Sequence, residues 1–300
     1  MKPAENSSPF FIVGTQRSGT TLLRLMLNAH SKICIPFETD FLTVKRTLGI
    51  DNHKLSLSQV EKVITALRSE PLTKKSGILD NYQFNSEKPT NFSLLFKSIV
   101  ASYAHQQGKK IWGIKTPGYE YHIDELTDLY PEARFIHLVR DGRAVALSTS
   151  NVRWGRKNII TNAVNWERGN ILARKNGNLI KHKYLLVKYE ELVTSTEETL
   201  AKICAFLGLN FDKNILDYHE SANSEMPASS IQWHKSSVSA VNPNKINDWK
   251  TKLTKSEKII FQEVAKAGLE EFGYEFLPTD PHYKTKLLKA FYSVQHFRGY

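Results

Sequence analysis

Three hundred residues, 41% hydrophobic and 24% charged, can bury a sizeable core without a disulfide or metal staple, and the balance excludes disorder, collagen and coiled coil. Forty-one Lys plus Arg against 30 Asp plus Glu leave a formal net charge of +11. That suits an anionic partner (nucleic acid, an anionic lipid surface, a polyanionic glycan or a nucleotide) and equally a well-solvated basic surface. No apolar run approaches the roughly 18 residues of a membrane span. The amino terminus lacks the apolar core of a signal peptide, and Cys34 and Cys204 form no metal-ligand spacing, so a soluble, cytoplasmic protein is expected.

The chain opens with a polar tail, residues 1–9, whose end meets an apolar strand-like run, Phe10–Val13. Gly14 to Gly19 form a loop, after which Leu22, Leu23, Met26 and Leu27 recur at helical spacing. Residues 41–105 read as helix and loop, with polar stretches at Asp51–Ser58 and Leu72–Thr90. Short buried strands are expected at Ile111–Ile114, Arg134–Val139 and Tyr184–Lys188, each followed by a helix-compatible segment. A helix is expected over Ser256–Phe272, and residues 281–300 form a basic, aromatic tail. There is no internal repeat and no long Gly/Ser or Pro linker. Residues 1–300 therefore read as a single α/β domain of three layers, a central parallel sheet with helices on both faces.

Residues 14–21, Gly-Thr-Gln-Arg-Ser-Gly-Thr-Thr, lie between the first strand and the first helix. Glycines there let backbone N–H groups curl around an anion, and the helix N-terminus adds its dipole. The spacing is that of G-x-x-x-x-G-K-[ST], with Thr20 in the lysine's place. Loss of that lysine argues against ordinary NTP chemistry, while Arg17 can supply the missing charge. A second anion site is expected after the Arg134–Val139 strand. Arg140 lies at its carboxyl end, and Ser148 lies about two turns into the following helix. Asp141 and Gly142 read as a helix cap and a tight turn. Arg143 reads equally as a solvated helix-start residue or a ligand contact.

Two anion sites on one sheet edge imply a ligand phosphorylated at two places. Here Phe11-Ile-Val-Gly-Thr-Gln-Arg-Ser-Gly-Thr-Thr-Leu-Leu resembles the 5′-phosphosulfate loop of sulfotransferases that use 3′-phosphoadenosine 5′-phosphosulfate (PAPS). The Arg140 segment resembles their 3′-phosphate motif, and Val-Arg-Asp-Gly-Arg-Ala points to the tyrosylprotein and bacterial branches. The resemblance covers roughly residues 10–250. It implies that Arg17, Ser18, Gly19, Thr20 and Thr21 hold the 5′-phosphosulfate, that Arg140 and Ser148 hold the 3′-phosphate, and that Tyr189 is a further contact. It also implies that Glu38, in Pro36-Phe37-Glu38-Thr39-Asp40, is the general base, with Asp40 its rival by chemistry alone. Cytosolic relatives use a histidine two residues after a lysine. Here Lys115 keeps the lysine and Pro117 takes the histidine's place. Lys115, at a strand's carboxyl end, is suited to neutralise charge on the bridging oxygen.

PAPS is thus the expected donor, a hydroxyl of open class (glycan, lipid, small alcohol or phenol, peptide tyrosine) the acceptor, and no metal is required. Residues 41–105 and 210–245 are expected to form the acceptor pocket. His122 and His234 are candidates to line it, whereas His137 reads as a packed strand residue. The basic residue that closes over the nucleotide in the family has no clean match. Lys235 and Lys245 flank Ser239, which stands at the aligned place. Two rivals remain. One is a P-loop kinase-like enzyme with a replaced lysine. The other is a basic polyanion-binding module, built on Lys284, Lys286, Lys289 and Arg298 interleaved with Phe291, Tyr292 and Phe297, a tail that could touch a membrane surface, although such a segment is more often a terminal helix packed on its own domain. Nucleic acid is not an expected partner.

Overall fold

The computed structural model describes residues 8–86, 90–153, 155 and 157–279. The expected contacts of the 281–300 tail lie outside the described residues, as does most of the 1–9 tail. In chain order the elements are β1 (Phe10–Val13), α1 (Thr20–Asn28), β2 (Ile33–Cys34), α2 (Phe41–Thr47), α3 (Leu57–Ser69), α4 (Pro71–Ser76) and α5 (Phe92–Gln106). Then come β3 (Ile111–Lys115), α6 (Ile123–Leu129), β4 (Arg134–Val139), α7 (Gly142–Ser150), α8 (Ile159–Leu179), β5 (Tyr184–Lys188), α9 (Tyr189–Thr194) and α10 (Thr196–Leu207). The last are α11 (Ala228–Ile231), α12 (Asp248–Lys252), α13 (Lys255–Val264) and α14 (Lys266–Glu271), with short 3₁₀ turns between some of them. Among the described residues no helix is long and apolar enough to cross a membrane.

The strands form one parallel sheet in the order β2-β3-β1-β4-β5. The parallel α/β class expected from alternating strands and helices is therefore what forms. A strand the sequence pattern does not reveal is β2. Two residues are too short to carry a period, and the strand exists because Ile33 and Cys34 pair with Ile111 and Trp112. The Ser256–Phe272 helix is two helices, broken at Ala265, whose φ −105°, ψ 32° leave the helical region. Buried Ile259, Phe261 and Leu269 carry the apolar spacing across the break, so the pattern alone does not show it.

By compactness the described residues fall into two units, one drawn from Met1–Val139 and Leu172–Pro243, the other from Arg140–Ile171 and Asn244–Tyr300. The first holds the whole sheet. Its connection from β1 to β2 runs one way across the sheet, and those from β2 to β3 and β3 to β4 run back. Right-handed crossovers then put α1 on one face and α2–α6 on the other. Side chains agree: Phe11, Val13, Ile114 and Phe135 join Phe41, Val60, Phe96 and Ile123 in one buried cluster. Phe11 stacks on Phe135 at 5.4 Å and Phe41 on Phe96 at 4.0 Å. Neighbouring β1 and β4 send their chains in opposite directions, the place where open α/β sheets bind ligands at the strands' carboxyl ends. In the second unit, Ala144, Trp249 and Leu253 pack together with Leu147 and Leu277.

Candidate active site

The loop after β1 is built around three left-handed residues: Gly14 at φ 152°, Arg17 at φ 69° and Gly19 at φ 96°. A side chain on Gly14 would meet the Leu138 carbonyl, and one on Gly19 would meet the Tyr189 ring. Among the described residues Arg17 alone takes positive φ without being glycine, a conformation that costs about 1–2 kcal/mol. Such strain is held where the surroundings over-determine it. The turn is closed by Ser18 N–H donating to Thr15 O at 3.1 Å, and the Thr15 and Ser18 hydroxyls lie 2.8 Å apart. Helix α1 starts with no side-chain cap. Its first-turn N–H groups and dipole thus face an anion's place, with Thr20 where an NTPase lysine would stand.

Lys115 is the last residue of β3 and only 2% exposed. Its ammonium donates to a Glu38 carboxylate oxygen and to Thr21 Oγ1 at 3.4 Å, so the phosphate loop's helix and the Lys115–Glu38 pair meet through Thr21. Burial pushes the Lys115 ammonium below its ordinary range, and Glu38 pushes back. The segment carrying Glu38 is pinned next to it. Thr39 N–H donates to Thr116 Oγ1 at 3.3 Å, and the Thr39 carbonyl accepts from Thr116 Oγ1 at 2.7 Å and from the Tyr119 hydroxyl at 3.0 Å. Asp40 caps α2, accepting from Thr43 N–H at 3.3 Å. Of the two carboxylates the sequence left open, only Glu38 is joined to Lys115.

The chain between α10 and Asn242 returns to this edge. Arg17 Nη1 donates to the Trp233 carbonyl at 3.0 Å. Arg24, buried in α1, donates to the Ile35 carbonyl at 3.1 Å and the Glu225 carbonyl at 2.9 Å, while Asn28 bonds the Glu225 carboxylate. His234 is the functional candidate sequence reasoning left undecided. Burial, then the charges of Lys115, Arg17 and Arg24, pull its imidazole down to about 3, so it is neutral at physiological pH. His122 is instead drawn to α2, against Arg46 at 2.9 and 3.3 Å. Ser239 is held by its hydroxyl on the Lys235 carbonyl at 2.9 Å and by Tyr218, which donates to the Ser239 carbonyl. His137 is buried with Nδ1 2.6 Å from the Tyr184 hydroxyl, a packed strand residue as its sequence position suggests.

Tyr189 opens α9 directly after β5, its ring against Gly19. Ser18 and Thr21 are buried, while Thr20 is half-buried. In the second unit, Arg140 and Ser148 are half-buried, and the Arg140 carbonyl accepts from Trp166 Nε1 at 2.9 Å. Asp141 caps α7 through the Arg143 N–H at 2.9 Å. Arg143 is not solvated. It is 1% exposed, forked on Asp141 at 3.0 and 2.8 Å, bonded to Gln262 at 3.0 Å, and stacked 3.9 Å from the Trp249 ring.

A parallel α/β sheet with a loop after β1 that meets an uncapped helix, Thr20 where a loop lysine would stand, Arg17 within the loop and a buried Lys–Glu pair beside it has the features of a group-transfer enzyme that handles an anionic donor. Residues 9–213 match the model of the sulfotransferase family, and the chain belongs to that family of sulfuryl-transfer enzymes. It is 28% identical over 249 residues to a protein-tyrosine sulfotransferase of Drosophila melanogaster, covering 78% of this chain and 44% of that one. The chain thus spans less than half of the fly protein's length. It is 25% identical over 293 residues to protein-tyrosine sulfotransferase A of Caenorhabditis elegans, covering 92% and 70%. Among solved structures, the sulfotransferase domain from the Synechococcus PCC 7002 olefin synthase is 26% identical, with a TM-score of 0.63 over 91% of this chain and 97% of that one.

Proposed function

We propose that the chain transfers a sulfuryl group from PAPS to a hydroxyl-bearing acceptor and releases 3′,5′-ADP. The observation that carries this is the joining of the uncapped loop to the Lys115–Glu38 pair through Thr21, which brings a cation and a carboxylate to one anion site. The loop amides with Arg17, Ser18, Gly19, Thr20 and Thr21 hold the 5′-phosphosulfate, with Tyr189 packed behind Gly19. Arg140 and Ser148 take the 3′-phosphate, a fork and a hydroxyl suited to a monoester. Glu38 takes the acceptor's hydroxyl proton as that oxygen bonds sulfur. Arg17 and Lys115 neutralise the bridging oxygen that keeps the electron pair of the broken S–O bond. The match over residues 9–213 runs through parts of both compact units, which supports reading them as one sulfotransferase domain. The names of the animal relatives make a tyrosine peptide the first acceptor to assay.

Calorimetry on the purified chain tests the donor. 3′,5′-ADP binds in preference to ADP and to ATP-Mg, and Arg140→Ala weakens it about 10- to 100-fold, the worth of a charged hydrogen-bonded contact. Preference for ATP-Mg turns the loop into a kinase site, and binding of none of the three leaves only a polyanion module. Gly19→Ala tests the loop itself. A Cβ at φ 96° is strained and meets the Tyr189 ring, so 3′,5′-ADP binding is lost while the far-UV circular dichroism of the fold persists. Unaltered affinity in that variant rules out the loop as the phosphosulfate site.

A further inference from the structure

We propose that His234 is a donor-binding residue that takes up a proton as the anionic phosphosulfate arrives and then donates an imidazolium N–H to it. The inference rests on PAPS being the donor. The Arg17–Trp233 bond at 3.0 Å ties the residue before His234 to the phosphate loop. The turn is shaped by His234 N–H donating to the Ile231 carbonyl at 2.9 Å and by the His234 carbonyl accepting from Ser237 N–H at 2.7 Å. Both of those are backbone bonds. Among the described residues the half-buried imidazole itself makes no side-chain hydrogen bond, so both ring nitrogens are left for a ligand.

The charges facing this ring come from three elements: Lys115 at the end of β3, Arg17 in the loop and Arg24 in α1. The carboxylates at that cluster are already engaged, Glu38 with Lys115 and Glu225 with Arg24. A histidine so placed stays neutral first because its ring is buried and then because a fourth cation is repelled. The loop and Lys115 hold the donor's anionic end, so whatever neutralises Arg17 and Lys115 also reaches the imidazole. An opposite charge within reach favours the charged form of a titratable group. The sign follows from linkage. The donor-bound ring has the higher pKa, so the complex holds more protons than the free enzyme, and affinity rises as pH falls through the interval between the two values. The sequence offers His234 only as a candidate for the acceptor pocket, because residue 234 is far from the loop along the chain.

Calorimetric titration with PAPS at pH 6, in buffers of differing ionisation enthalpy, counts the protons taken up on binding. The 3′-phosphate contributes its own proton exchange, and the difference between wild type and His234→Gln removes it. The wild type takes up as much as about one proton more than His234→Gln, and the ratio of their dissociation constants grows by up to about tenfold per pH unit below the bound-state pKa. Imidazole NMR of the wild type alone gives a second readout that does not depend on the variant's folding. Of the ten histidine rings, one moves from neutral to protonated shifts on addition of PAPS at pH 6. Equal proton uptake with parallel pH profiles, or no ring that changes protonation, overturns the role of His234 while leaving the donor in place. Absence of PAPS binding in the wild type overturns the donor reading, and this inference with it.

Discussion

Lys115→Ala lowers turnover on PAPS by about 10²- to 10³-fold, as removal of one preorganised charge partner does at a transfer centre, while 3′,5′-ADP still binds. The cause is timing. Negative charge grows on the bridging oxygen only as the sulfuryl group leaves, so an ammonium held there stabilises the transition state more than the bound donor. Lys115 is suited to this because burial strips its water and the Thr21 and Glu38 bonds fix its position before the donor arrives. Its removal also strands Glu38, and a buried charge without its partner costs about 3–5 kcal/mol of stability. The double variant Lys115→Met with Glu38→Gln separates the two effects. It recovers stability towards the wild type and recovers no turnover, since it lacks both the cation and the proton acceptor. The losses are not additive, because the two side chains act as a unit. Single-turnover transfer of radiolabelled sulfuryl to a tyrosine peptide, with urea unfolding alongside, measures both. A Lys115→Ala enzyme with near wild-type turnover removes Lys115 from the chemistry, and a double variant as unstable as the single one removes the stranded-charge account.

Much of this centre is legible in the sequence because it is local. The loop's glycines, Arg17, and Lys115 at a strand end lie within short windows whose spacing states their geometry. Arg140 and Ser148 are legible for the same reason, as positions in a strand–helix unit. Contacts made across the chain are not legible. The Glu38–Lys115 pair spans 77 residues and depends on the Thr39–Thr116 ladder that holds the two segments together. The family resemblance already implies Glu38, but seeing that Glu38 turns to the lysine while Asp40 caps α2 needs the folded chain, since two residues of spacing cannot say which carboxylate does which. The strand β2 is hidden for a different reason, being only two residues long. The His234 neighbourhood is assembled from β3, the loop and α1 against a segment about 120 to 220 residues away. No periodicity encodes that meeting, because the cations are brought together by the fold and not by any one element.

Arg143, which the sequence leaves open between a solvated residue and a ligand contact, carries a large expected loss of stability. Arg143→Leu lowers the unfolding free energy by about 3–5 kcal/mol, as removing one member of a buried pair does. The variant takes the guanidinium fork from the buried Asp141 carboxylate, and it leaves Gln262 Oε1 with the Leu277 N–H at 2.8 Å. The Trp249 ring also loses the cation stacked 3.9 Å away. Asp141→Asn combined with Arg143→Leu recovers part of the loss. The amide oxygen still caps α7 through its bond from the Arg143-position N–H, while the stranded charge is gone. Urea titrations of the two variants decide the matter together with 3′,5′-ADP binding. If Arg143 were a nucleotide contact, Arg143→Leu would keep its stability and lose affinity. The fork on Asp141 and the Gln262 bond already use three of the guanidinium's five donors, and the Trp249 ring covers one of its faces, so the expected pattern is the reverse: a large fall in stability, with affinity retained in the fraction that folds.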